Sequence, residues 1–285
     1  RLLFRLSAAA LFTLGLSIML AGAGNARVLA ARAAELEVYR LQTDRQGIDA
    51  LVLAGQDLVS VAQRGAERFD VQVVAERGQV SELEALGFEP RLWLSPKGLT
   101  ATETLDQDRA RTDQAGGGVY RPWDGPGNIE AEIRQLAADH PGHVELKVIG
   151  KTVQGRDLLA LRVTADIAQA PARPKVLFNA LQHAREWIAI EVNRRLARHF
   201  IEGFGKDEVV TSILSSTEVW FVVCANPDGY QLTQQQGFRL WRKNARDLNG
   251  DGAVDAANDG VDLNRNFSAR WNFDSEGSSG AANSQ

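Results

Sequence analysis

Two apolar runs limit what this chain can build. PKVLFNAL at 174–181 and EVWFVVCA at 218–225 show no alternation of apolar and polar residues. That is the pattern of strands covered on both faces rather than one. Between them, from Glu186 to about Ile201, Ile188, Val192, Leu196 and Phe200 recur at helical spacing. NIEAEIRQLAADHP (128–141) carries a second helical pattern, stopped by Pro141. VELKVIGKTVQGRDLLALRVT (144–164) reads as two strands around Gln154-Gly155. Strands of this kind alternating with amphipathic helices predict an α/β sheet with helices on both faces. NPDGY (226–230) reads as a turn after the second apolar strand.

The chain is 285 residues long and 44% hydrophobic, enough for two domains. Residues 36–94 have a different texture, with short patterns in the order β-α-β-β-α-β, as in a small split-βαβ sandwich. Residues 95–119 are polar, poor in large apolar side chains and closed by Gly116-Gly117-Gly118, a linker composition. Arg109-Ala110-Arg111 within them offers a processing protease an exposed site, or else lies in an uncleaved spacer. Residues 1–26 have a basic start, an apolar middle and a small-residue end, which describes a signal peptide. The competing reading is an uncleaved anchor, since the uncharged stretch is just long enough to span a bilayer. The expected location is secreted or periplasmic, with no stable membrane association once the signal is removed. A formal charge of −4 gives nucleic-acid binding no support. The single cysteine, Cys224, lies in an apolar run and reads as a core residue.

His183 and Glu186 follow directly on the first apolar strand, at the carboxyl end where open α/β sheets place ligand crevices. An imidazole and a carboxylate three positions apart on one turn can face a common point and supply half of a zinc shell. Alone, the pair is equally a helix start with Glu186 answering the dipole. Three further motifs follow in order: NPDGY, FRLWRKNAR (238–246) and GVDLNRNF (260–267).

With HAREW, these motifs resemble the zinc carboxypeptidase family of the A/B type over about residues 120–273. The resemblance implies an open mixed-sheet α/β/α carboxypeptidase-like domain over 120–285, incomplete as given, preceded by an α+β, ferredoxin-like prodomain over 36–94. It implies zinc ligands at His183 and Glu186, a substrate contact at Arg185, and a grip on the terminal carboxylate by Asn264 and Arg265. Arg242 is implied to polarise the scissile carbonyl. The implied partners are peptide or protein C-termini, and the implied activity is hydrolysis of the last peptide bond by a secreted zymogen. Guanidinium groups suit such roles, because their fork grips a carboxylate through two parallel bonds and can also face an oxyanion.

A catalytic zinc takes three protein ligands. The family's third ligand is a histidine after the motif that DLNRNF matches, and no histidine follows His199. His199 itself lies about 20 Å along a helix leading away from His183, at the usual rise per residue. The sequence therefore reads as the N-terminal part of a longer enzyme, with the general base also beyond Gln285 and an apolar sheet edge left open. Asp247, Asn249, Asp251, Gly252 and Asp255 fall at positions of a calcium-binding loop, though Asn258 stands where a bidentate glutamate is usual. A solvated acidic turn is the competing reading. Two other functions stay open: a non-catalytic binder of peptide tails, calcium-dependent or not, and an amidohydrolase acting on a cell-wall peptide.

Overall fold

The computed structural model of the chain describes residues 30–31, 36–114, 118–168, 173–256, 258–273 and 278. The expected signal peptide and most of the glycine run lie outside the described residues. None of the described helices is long and apolar enough to cross a membrane.

A two-residue strand, β1 (Ala30–Ala31), precedes the first unit. That unit comprises β2 (Leu36–Thr43), α1 (Arg45–Leu53), β3 (Asp57–Gln63), β4 (Phe69–Glu76), α2 (Val80–Ala85) and β5 (Arg91–Leu92). Its strands line up β3-β4-β2-β5, each antiparallel to its neighbours. Asp44 starts α1 by accepting a hydrogen bond from the Gly47 amide at 2.8 Å. Successive residues of a strand face opposite ways, and β2 is apolar on both sides. Tyr39 and Leu41 join Val71, Val73, Ile48, Leu51 and Leu83 in the core between sheet and helices. Leu36 and Val38, with Val74, face the other way into a second apolar cluster.

That second cluster belongs to both halves of the chain. It also contains Leu232, Phe238, Leu240, Trp241, Ala245 and Val254. The first unit is therefore not a tethered bead. Its sheet is sandwiched between its own helices and the rest of the protein.

The expected linker contains a helix, α3 (Ala101–Gln114). Thr100 and Glu103 form the box that starts it. The Thr100 amide donates to Glu103 Oε2 at 2.8 Å, and the Glu103 amide donates to Thr100 Oγ1 at 3.3 Å. The start of α3 also leans on β2, where Thr102 Oγ1 donates to the Leu36 carbonyl at 3.1 Å. Ala101 and Leu105 enter the shared cluster. Arg109 and Arg111 are thus helical, and the Arg109 guanidinium lies 5.3 Å from the Trp187 ring centroid. The expected linker is helical at this point, while Ala110 and Arg111 remain exposed as read.

The second unit runs α4 (Ile129–Asp139), β6 (Val144–Lys151), β7 (Asp157–Val163), β8 (Lys175–Asn179), α5 (Trp187–Gly203), α6 (Glu208–Ser216), β9 (Glu218–Val222), α7 (Pro227–Thr233) and β10 (Ala253–Val254). Its sheet has the order β6-β7-β9-β8. β6, β7 and β9 are antiparallel in turn, and β8 is parallel to β9, so the sheet is mixed. The hairpin around Gln154-Gly155 is present as read.

Three expectations need correction. Among the described residues β8 is an edge strand and Leu177 is 63% exposed, so it lacks the cover expected on both faces and presents the open apolar sheet edge that was also expected. On α5 the buried stripe is Trp187, Ile190, Ala197 and Ile201, while Ile188 and Val192 are 60% and 58% exposed. Leu196 and Phe200 of the expected stripe are half-buried against the same core, so the fold uses the face headed by Trp187 together with the C-terminal half of the expected one. NPDGY is not a surface turn but the buried start of α7, capped by Asn226, which accepts from the Gly229 amide at 3.0 Å.

That motif is a brace. Asp228 accepts from Thr152 Oγ1 at 2.9 Å, the Gln154 amide at 3.0 Å and Arg156 Nη1 at 2.7 Å, which locks the β6–β7 hairpin. Gly229 is needed because a Cβ there would meet the Lys243 carbonyl at 2.4 Å. The Tyr230 hydroxyl donates to the Arg121 carbonyl at 2.9 Å. Cys224 is buried, and burial pushes its thiol pKa far up, as a core residue requires.

Candidate active site

β8 ends at Asn179, and the chain then turns sharply. Leu181 takes a left-handed backbone, φ 58°, and is buried. A branched side chain is rarely found there, and such strain persists only where the surroundings enforce it. The Ala180 amide donates to the Val222 carbonyl, and the Ala225 amide donates back to the Ala180 carbonyl. The turn places His183 just past the carboxyl end of β8.

Asn226 and Arg242 tie this turn to the later motifs. The Asn226 side-chain amide donates to the carbonyls of Gln182 and Lys243, each at 3.0 Å. The Ala184 amide donates to the Arg242 carbonyl at 2.9 Å. HAREW, NPDGY and RLWRKN, distant in sequence, are thus joined through three backbone carbonyls.

His183 Nδ1 lies 2.9 Å from Glu186 Oε1, and its buried Nε2 faces Asp262 Oδ1 at 3.3 Å. The second contact has an ion-pair distance without the alignment of a good hydrogen bond, since Nε2 has no hydrogen-bond partner. Burial works to lower the His183 pKa, but Asp262 and Glu186 carry it net upward. Glu186 is held below its usual range by His183. Asp262, despite burial that opposes it, is held far below the carboxylate range by His183 and Arg242. Arg242 Nε donates to Asp262 Oδ2 at 2.6 Å. One aspartate therefore orients both the imidazole and the guanidinium.

The donor set fits zinc on its chemistry. An imidazole nitrogen and a carboxylate oxygen converge, while the other ring nitrogen is backed by a second carboxylate, the usual outer-shell partner of a zinc-bound histidine. The fit extends to two ligands. Among the described residues, no group of three or more His, Cys, Asp or Glu side chains has the geometry to hold a metal.

Asn264 and Arg265 lie in the turn that follows Asp262. The Asn264 amide donates to Asp262 Oδ1 at 2.9 Å, and the Arg265 amide donates to the Asp262 carbonyl at 3.0 Å. Both side chains are exposed. The structure thus joins His183 to Glu186 directly and to Arg242 through Asp262, and puts Asn264 and Arg265 on the next turn of chain.

Arg185 is differently engaged. Its guanidinium grips Asp57, at the start of β3, with both terminal nitrogens; the Nη2 to Oδ1 bond is 2.9 Å. Asp57 Oδ1 also lies 3.8 Å from Arg242 Nη1. Arg239 packs beneath, 3.8 Å from the Trp187 ring centroid, and Nη1 donates to the Arg185 carbonyl at 3.1 Å. Burial pushes the Arg239 pKa down to about 10.

Sequence reading missed Asp57, Arg239 and Asp262. Asp262 sits inside GVDLNRNF and was legible as a buried carboxylate beside a histidine site. Asp57 gave no local signal, because its role depends on how two units dock.

The calcium positions form a loop held by its own backbone. Asp247 accepts from the amides of Gly250 at 2.6 Å and Gly252 at 2.9 Å, and Asp251 from Ala253 at 2.9 Å. Asn249 accepts from the Asp251 amide, and Asp255 from the Asn258 amide. No metal-holding group forms there among the described residues.

The mixed sheet, with the crevice at the end of β8, defines a carboxypeptidase-like fold. A solved structure described as carboxypeptidase A from Helicoverpa armigera matches it with a TM-score of 0.63 at 21% identity, over 85% of this chain and 60% of that one. The model of the zinc carboxypeptidase family, Peptidase_M14, matches residues 129–285, and the chain belongs to that family. A zinc carboxypeptidase of Saccharothrix mutabilis subsp. capreolus is 30% identical over 278 residues, covering 94% of this chain and 60% of its own length. An inactive metallocarboxypeptidase, ECM14, of Arthroderma otae is 34% identical over 157 residues, 54% of this chain and 24% of that protein. The chain thus spans well under two thirds of the length of these relatives.

Proposed function

We propose that the protein is a secreted zinc metallocarboxypeptidase precursor whose first unit, a ferredoxin-like prodomain, closes the active site until the linker is cut. The observation that carries the reading is the convergence of His183 and Glu186, backed by an Asp262 that also holds Arg242. Zinc bound by that pair would polarise the scissile carbonyl and acidify a bound water. Arg242 then faces the developing oxyanion, where loss of such a donor costs about 3 kcal/mol. Arg265, exposed beside Asn264, receives the terminal carboxylate. The third ligand and the general base belong to the part of such an enzyme that this sequence does not span.

Asp57 supports the zymogen reading. Its carboxylate occupies the donors of Arg185 and stands beside Arg242, so a peptide needing those groups must displace it. The matches to the Saccharothrix enzyme and to the Helicoverpa structure are each longer than the second unit alone, so they extend into the first unit.

The test uses the full-length protein, cut in the linker and loaded with zinc, on peptides with free and amidated C-termini. A carboxylate grip predicts at least a hundredfold loss on amidation; equal rates refute it. Binding of free C-termini without hydrolysis selects the non-catalytic reading, which the inactive relative favours.

A further inference from the structure

We propose that the acidic segment 247–259 is a retaining clip: an interaction surface whose partner is the first unit of the same chain, and which sets how fast that unit leaves once the linker is cut. The inference rests on the reading of the first unit as a removable cover, but it concerns retention rather than catalysis.

Among its described residues the segment is polar and mostly exposed or half-buried, with Ala253, Val254 and Asp259 buried. Val254 has no exposed surface and lies in the cluster that holds Leu36, Val38 and Val74 from the first unit and Ala101 from α3. Ala256 packs against the same cluster. The backbone joins as well: β10 pairs in parallel with β1, Ala30 opposite Ala253 and Ala31 opposite Val254. Among the described residues of the acidic segment, the two apolar buried ones, Ala253 and Val254, are the pair that meets the N-terminal part of the chain.

The rest of the segment is built to present those two residues stiffly. At its neck the Asn244 amide donates to the Val261 carbonyl at 3.0 Å, and the Val261 amide donates to Asn244 Oδ1 at 2.8 Å. Gly260 turns with φ 83°, in a space where a Cβ would meet Trp241, Lys243 and the Asn244 carbonyl below 3.0 Å. Buried Asp259 accepts from the amides of Leu248 at 2.8 Å and Asp255 at 2.9 Å, cinching the two sides together. The Asp247 and Asp251 carboxylates brace the tip through the amides already described. A buried valine on a rigid arm resists separation more than one on a slack arm, because no ordering entropy is lost on docking. The neck bonds are independent of Val254, so a change at Val254 leaves the placement of Asp262 intact.

The experiment uses the full-length protein with a specific protease site in place of Gly116-Gly117-Gly118. After cutting, release of the N-terminal fragment is followed by size-exclusion chromatography and native mass spectrometry. Fragment release from Val254→Asp is expected at least tenfold faster than from the unsubstituted protein, with Val254→Ile unchanged. Equal release rates for Val254→Asp and the parent overturn the clip. If Val254→Asp does not fold, hydrogen exchange on the parent decides. The amide of Val254 is expected to be protected before cutting and to exchange at least tenfold faster after separation, while that of Ala253, held by Asp251, serves as the internal control; protection of Val254 that survives separation overturns it. Retention is read without substrate, so a protein that proves catalytically dead still answers the question.

Discussion

Asp57 and Arg185 face each other as a two-pronged ion pair between the halves of the chain, with Arg242 at the edge of the same carboxylate. Asp57 has 23% of its side chain exposed and Arg185 11%, so water screens the pair only in part. Severing such a pair leaves an uncompensated buried charge, at about 3–5 kcal/mol. In full-length, uncut protein, Asp57→Ala is expected to raise affinity for a peptide with a free C-terminus by more than tenfold. Calorimetric titration checks it, and an unchanged affinity would mean that Asp57 blocks nothing.

Asp262→Asn keeps the side chain's shape but removes the charge that backs His183. Loss of an outer-shell partner of a zinc-bound histidine typically weakens the metal by about 10–100-fold. Zinc competition with a chelator on the full-length protein measures it. Circular dichroism is expected to stay the same.

Asp228 is 1% exposed and bonded to three groups of the β6–β7 hairpin. Asp228→Ala strands the Gln154 amide and leaves Arg156 with Asp124 as its one carboxylate partner, and is expected to cost about 1–3 kcal/mol. The exposed pair Arg45–Asp49, at 3.6 Å, serves as control: Asp49→Ala should change stability by less than about 1 kcal/mol. Urea denaturation compares the two variants directly.

Glu132 is ringed by Arg121, Arg194 and Arg198. Burial works to raise its pKa, but the three guanidinium groups bring it down to about 2 from 4.5. A depressed carboxylate contributes stability that is present above its unfolded pKa and lost as pH falls through the folded one. The contribution should therefore hold above about pH 4.5 and disappear by about pH 2. Glu132→Gln is expected to flatten the acid limb of the stability curve between those values, as read by thermal melts across pH.

Much of the second unit was readable because its signals are local. The hairpin at Gln154-Gly155 and the helix over 129–139 follow from turn residues and apolar spacing alone. Choices between competing surfaces were not readable. Ile188, Val192, Leu196 and Phe200 make as good a stripe as Trp187, Ile190, Ala197 and Ile201, and only the neighbouring sheet selects between them. The helix over 101–114 had a sign in Thr100-Ala101-Thr102-Glu103, overridden by a composition that suits a linker. At the site, spacing suggested the pair His183 and Glu186, and the family resemblance implied Arg242. Asp57 escaped because nothing near it in sequence foretells Arg185.

The helical linker has a kinetic corollary. A protease that threads its substrate as an extended strand cannot engage Arg109–Arg111 while those residues are wound into α3 and Arg109 rests on Trp187. Any cut there would proceed only through the fraction of molecules in which that helix has opened, so its pace would follow the local unwinding equilibrium. Trp187 is the residue next to Glu186, so the unwinding that frees Arg109 would also uncover the helix start beside the proposed zinc ligand.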